Sequence, residues 1–359
     1  MFKYQAIAWR WLRRGLGIVA LVALAYFALT ATGRYLVRAA WAEGRILARR
    51  RPIVDIIADS TATPRVAAKL RLVLAARAFA AESIGLRARR SFTTYSQLDR
   101  DTLVLVLSGA YRDRLASRTW WFPVVGRVPY KGFFDFTAAR AAARQLESDG
   151  FDVYLRPSPA FSTLGWFNDP LLSTSLAADS LDLANTVIHE LTHNTFYASG
   201  QAVFNESFAS FVGARGAAWF FRSRGASAAA DQEDARWADE KVLARFWGKL
   251  YRTVDSAFKA HPTDSLARLA VRDTLYSRAR RELVDSLGPQ LRTISRRGFE
   301  RIRLDNAALL AHRLYATDLD VFDAIWAREG GDLRRTVVRI IEGVEGSKEP
   351  FRVLKEKAG

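Results

Sequence analysis

The sequence predicts an α+β fold with a small mixed sheet in its first half and a mostly helical second half. Two observations carry this. Residues 102–107, 120–122 and 151–155 are short β-branched and aromatic runs bounded by Gly, Pro or Asp, which is the pattern of strands. From residue 179 onward the apolar spacing is helical, with turns near Gly225, Pro262, Gly288 and Gly330. Strands first and helices later indicate segregated rather than alternating elements. At 359 residues, 50% of them apolar, the chain can bury one large core or two smaller ones.

Taken in order, residues 15–33 come first: nineteen residues without a charge, about enough to cross a hydrocarbon core of roughly 30 Å as a helix. Lys3, Arg10, Arg13 and Arg14 precede them, so an N-terminus left in the cytoplasm is expected from the positive-inside bias. Arg34, Arg38, Arg45, Arg49, Arg50 and Arg51 follow. No clean small-x-small cleavage site follows the apolar core, which favours an uncleaved anchor over a signal peptide. The post-anchor arginines would then lie near lipid headgroups, each adding about 1 kcal/mol of attraction to an anionic leaflet. Residues 34–50 read as a short amphipathic helix closed by Pro52. Thr63 and Pro64 open another that runs to Gly85, and one over 137–148, ended by Gly150, interrupts the strands. The expected division is an anchor with a basic juxtamembrane helix over 1–51 and a body over 52–359. Within the body, 52–178 holds the sheet and 179–359 the helices.

Residues 1–51 carry +9 of the formal +17, so over half the excess charge surrounds one apolar stretch. The sequence has no Gly-rich phosphate cradle, zinc-finger spacing or aromatic-basic stacking platform, and no nucleic-acid partner is expected. The remaining arginines lie mostly among acids on helices, as solvated faces do.

Residues 189–193 read His-Glu-Leu-Thr-His, and Glu206 stands thirteen positions beyond the second histidine. A helix turns about 100° per residue, so His189 and His193 share one face and can aim nitrogens at one metal roughly 2.0–2.1 Å away. Glu190 sits one step round, placed to take a proton from a metal-bound water without being a ligand. A catalytic zinc needs three protein ligands and an open position, and Glu206 can supply the third. Ser180, Leu181 and Asp182 look like a helix start, and Gly200 like its stop. A second helix near 202–216 carries Phe204, Phe208 and Phe211 as a buried stripe. An ionised carboxylate among them needs a charge partner, which zinc provides. One zinc per chain is expected.

His189-Glu-Leu-Thr-His193, followed by Phe204-Asn-Glu-Ser-Phe-Ala-Ser-Phe-Val-Gly213, resembles the predicted-aminopeptidase family of bacterial envelope proteins. The likeness extends to Gly150-Phe-Asp-Val-Tyr-Leu-Arg-Pro157, to residues 160–174 and 121–135, and to Asp305-Asn-Ala-Ala-Leu309. The resemblance implies a gluzincin-type zinc peptidase of zincin-like fold, acting on peptides. It implies a bacterial inner-membrane anchor with the body facing the periplasm or cell exterior. Family members often carry a lipoprotein cysteine and a cysteine pair; Trp121 and Arg127 occupy the paired positions, and this chain has no cysteine.

The expected chemistry is zinc-dependent peptide hydrolysis, as an aminopeptidase, with Glu190 as general base. Tyr315 and His312 are candidates to steady the oxyanion. Asp169, in the segment beginning at Trp166, is a candidate to bind the substrate's free amine, with Trp166 beside it. The sheet edge over the cleft is expected in 160–170. The alternative is a membrane-anchored binding or assembly protein whose zinc is structural or vestigial; only three visible ligands with a base beside them favour catalysis.

Overall fold

A computed structural model describes residues 2–100, 102–122, 126–158 and 170–358. Its fold is α+β, with small sheets in the N-terminal half and helices in the C-terminal half. The N-terminal helix is broken at Thr30. Helix α1 (Phe2–Leu29) stops there, the Thr30 hydroxyl accepts from the Gly33 amide, and α2 (Ala31–Ala48) starts on a new axis. Segments 13–29 and 32–48 meet at 88°. Among the described residues no single helix is long and apolar enough to cross a membrane; the two segments pass that test only together.

Helix α2 is amphipathic, as its spacing predicts, and its apolar side docks on the body. Ile46 is buried with Leu103, Val104 and Leu172, and the Ser96 hydroxyl donates to the Ile46 carbonyl at 2.8 Å. Arg45 and Arg49 reach Asp99, while Trp41 and Val37 stay exposed.

Strand β1 (Arg51–Pro52) leads into α3 (Ile53–Ala58) and α4 (Pro64–Phe79). Thr63 caps α4 with Pro64 in its first turn, and one wide turn carries it to Gly85, whose φ of 86° only glycine adopts cheaply. Strand β2 (Thr94–Ser96) pairs antiparallel with β1 and parallel with β9 (Leu171–Leu172), which makes the sheet content mixed.

The larger sheet centres on β3 (Val104–Tyr111), which pairs with β4 (Ser117–Arg118) and β7 (Tyr130–Phe133), and also with β8 (Phe151–Ser158). The strand expected over 102–107 thus runs on through Ser108, Gly109 and Ala110, because pairing with β8 overrides their weak propensity. Strands β5 (Trp120–Phe122) and β6 (Gly126–Val128) form a hairpin in which Trp121 lies opposite Arg127. The two positions given to the cysteine pair are therefore cross-strand neighbours.

Side chains alternate across β8. Val153 and Leu155 face α5 (Phe136–Ser148), packing with Leu107, Ala143 and Leu146. Asp152, Tyr154 and Arg156 face the helical half.

That half contains α6 (Ser173–Leu176), α7 (Ser180–Thr195), α8 (Ala202–Ser223), α9 (Ser227–Ala260) and α10 (Ser265–Arg281). After these come α11 (Arg296–Glu300), α12 (Asn306–Tyr315), α13 (Leu319–Arg328), α14 (Leu333–Val344) and α15 (Pro350–Ala358). The phenylalanine stripe of α8 is core: Phe204, Phe208 and Phe211 are at most 1% exposed and all pack on Phe322 of α13. Where the sheet meets this half, Asp152 receives Arg272 of α10 at 2.5 Å and the Asn306 amide of α12 at 2.9 Å.

Two boundaries of α7 differ from the sequence reading. Asp179, not Ser180, is the cap, accepting from the Asp182 amide at 2.8 Å. The helix ends at Thr195, short of Gly200. Phe196 turns extended to pack on Phe204, and the Asn205 side chain takes both the amide and the carbonyl of Ala198.

Candidate metal centre

Helix α7 is held by α9 and α8. Arg236 of α9 bridges Asp179 and Asp182 in its first turn at 2.6 and 2.7 Å, and Asn185 donates to Glu233 of the same helix. Helix α8 approaches α7 closely because Gly213 and Gly216 have no side chains. A Cβ on Gly213 would stand 2.6 Å from Asn185 Oδ1 and 3.2 Å from His189 Cβ; one on Gly216 would meet Ile188 at 2.9 Å. Those glycines bring Glu206, one face round from the phenylalanine stripe, up to the histidines.

The three predicted ligands converge. His189 Nε2 and His193 Nε2 are 3.2 Å apart, and the Glu206 oxygens lie 3.5 Å from the first and 3.7 Å from the second. One donor atom from each of these residues lies within 4.8 Å of the others. Two ligands of a tetrahedral ion with bonds of about 2.0–2.1 Å stand about 3.3 Å apart, so the spacing fits a metal ion. All three residues are half-buried.

The electrostatics agree. Burial works against ionising Glu206, but hydrogen bonds and charge from His189 and His193 outweigh it and hold the carboxyl down at about 2. Burial likewise opposes charging His193, yet Glu206 and Glu190 raise it above the ordinary histidine value. The cluster therefore keeps an ionised carboxylate and attracts a cation. His193 Nδ1 is buried without a hydrogen-bond partner among the described residues, so no acceptor orients that ring from behind.

Glu190 is half-buried on α7, close enough to contribute to the field at His193. Tyr315 closes α12, and, two residues on, Thr317 donates its amide to the hydroxyl of Ser207, the neighbour of Glu206. Burial first, and then Glu206, raise the Tyr315 phenol, which keeps its proton. His312 lies one turn back, stacked on Trp247 at 4.3 Å and packed beside Tyr154. Burial, with Arg156 nearby, lowers it to about 4, so it is a neutral ring in an aromatic stack. Asp169 and Trp166 lie outside the described residues, as does most of the expected edge segment 160–170.

Two residues assigned no role from sequence also face this site. Arg156 of β8 donates to Tyr315 Oη at 3.5 Å, and Tyr130 of β7 feels Glu206, Tyr197 and Arg156. The only signal for Arg156 and Tyr130 was their place inside the segments carrying the family resemblance.

A family model described as "Putative aminopeptidase" matches residues 34–350. The chain belongs to this family. No curated protein and no solved structure matches. Membership in the aminopeptidase family supports peptidase activity at a coarse level. The match begins within α2, ahead of Pro52.

Proposed function

We propose that the chain is a zinc-dependent peptide hydrolase, acting as an aminopeptidase. The observation that carries this is the convergence of His189, His193 and Glu206 beside Glu190, in a chain of the aminopeptidase family. His189 and His193 would hold the ion through Nε2, with a Glu206 oxygen as third ligand. A zinc so bound supplies Lewis acidity, activating a water and polarising the scissile carbonyl. Glu190 accepts the proton of the attacking water and delivers it to the leaving amine. Tyr315, a phenol that carries its proton at neutral pH, donates its hydroxyl hydrogen bond to the developing oxyanion. Among the described residues β8 pairs only with β3, so its other edge is available to an extended peptide.

In this reading the N-terminal segment anchors the chain in a bacterial inner membrane, with the body outside the cytoplasm. Its support is the run of exposed apolar side chains along α1, among them Leu16, Val19 and Leu24, with basic residues on either side.

Elemental analysis of gel-filtered protein tests the metal. About one zinc per chain is expected, lost in His193→Ala. Glu190→Gln should keep the zinc and lower peptide turnover by about a hundredfold or more. A well-folded sample that takes up no zinc rejects the hydrolase reading.

A further inference from the structure

Among the described residues the arginines withdrawn from solvent fall into two groups. Arg215, Arg236, Arg268 and Arg272 each face a carboxylate within 3.2 Å. Arg77, Arg118, Arg280, Arg313 and Arg156 are half-buried with no carboxylate within ion-pair distance among the described residues; the first three donate to backbone carbonyls and Arg313 lies over the Tyr251 ring, whereas Arg156 stands at Tyr315 beside the metal triad. Its neighbours are the Tyr315 hydroxyl, at 3.5 Å, and the face of the same ring, 5.8 Å from the guanidinium carbon. A guanidinium withdrawn from water without a counter-ion is costly, and its planar fork suits a carboxylate.

Its position adds to this. Arg156 alternates with Leu155, so it projects from β8 away from α5 and toward α12. It acts electrostatically on Tyr315, Tyr130 and His312, and Glu206 acts on both tyrosines. Geometry links the two as well: Tyr315 meets Arg156 through its hydroxyl, and, two residues on, the Thr317 amide bonds Ser207, the neighbour of Glu206. Glu206 is already engaged with the two histidines.

We propose that Arg156 binds a substrate carboxylate next to the cleaved bond. The favoured substrates would be short peptides that present one there, as a C-terminus or as an acidic side chain. This rests on the hydrolase reading above and adds to it a substrate class and the residue that selects it. Arg156 pairs with the carboxylate through two parallel N–H donors, which gives orientation as well as attraction. Tyr315 remains free to donate to the reacting carbonyl.

The test compares two substrate pairs on the full, zinc-loaded chain in mild detergent: Ala-Ala against its amide, and Ala-Glu-amide against Ala-Gln-amide. The member with the carboxylate should be cleaved with kcat/KM about tenfold higher or more in at least one pair, chiefly through KM. A preference in the first pair identifies the C-terminus as the source, and one in the second the side chain. In Arg156→Met the preferred pair should converge to a ratio near one, and Arg156→Lys should restore part of it. Equal cleavage within both pairs, or a preference that survives Arg156→Met, overturns the proposal. If no peptide is cleaved, the hydrolase reading fails, and calorimetric binding of the same four peptides to wild type and Arg156→Met decides the role of Arg156. Tighter binding of the carboxylate members, lost in the variant, supports it; equal binding or none overturns it.

Discussion

At the residue scale, the proposed reaction gives His189, His193 and Glu206 to a cation and other side chains to the substrate. Tyr315 belongs to the second group: its hydroxyl accepts from Arg156 and, as a phenol, carries its own proton at neutral pH. Tyr315→Phe should lower turnover by about a hundredfold while zinc content stays the same, since only a donor to the oxyanion is lost. Unchanged turnover would remove Tyr315 from the reaction. The converging triad was legible in the sequence because helical periodicity is local: four positions put His189 over His193, and a carboxylate in an apolar stripe singled out Glu206. Arg156 and Tyr130 were not, because what brings them together is strand pairing with β3, and no local spacing encodes that. His312 was picked for its chemistry; its stack on Trp247, 65 positions earlier in the chain, shows the packing that sequence alone could not give.

At the element scale, the contact between α7 and α9 sets where the metal helix starts. Glu233, 2% exposed, accepts from Asn185 with one carboxylate oxygen and leaves the other without a hydrogen bond among the described residues. Burial pushes this acid up to about 7, against the partial relief given by Asn185 and Arg236. In the unfolded chain it ionises near the ordinary value of about 4.3. Its contribution is thus complete below about 4.3 and is lost as pH rises toward 7, since the unfolded chain releases the proton first. Glu233→Gln should stabilise the protein by about 1–3 kcal/mol at pH 8 and change little at pH 4, as read from urea midpoints. A gain of the same size at both values would show that the carboxyl is not the cause. Several helices were legible to within a few residues, but α8 runs on to Ser223, seven beyond its expected end, and α1 starts at Phe2, well ahead of the apolar run. The error at the end of α7 arose because Asn205, from the next helix, ties up the backbone that Gly200 was expected to turn.

At the scale of the whole molecule, the α+β division was readable from the order of patterns, whereas β1, β2 and β9 are too short to show an alternation. The sequence placed the start of the body at Pro52, but Ile46 fills a cluster with Leu103, Val104 and Leu172, and Ser96 depends on the Ile46 carbonyl. A chain beginning at Pro52 should therefore be about 2–5 kcal/mol less stable than one beginning at Ala31, through lost burial and an unpaired hydroxyl. Equal urea midpoints for the two would show that α2 is dispensable to the body. The right angle at Thr30 has a further consequence if α1 stands upright in a bilayer. A flexible tether would let an enzyme sweep a hemisphere, but α2 would lie along the surface, locked to the body by Ile46 and Asp99. Height and heading would then be fixed together, and the cleft would meet only peptide ends presented at one level above the lipid.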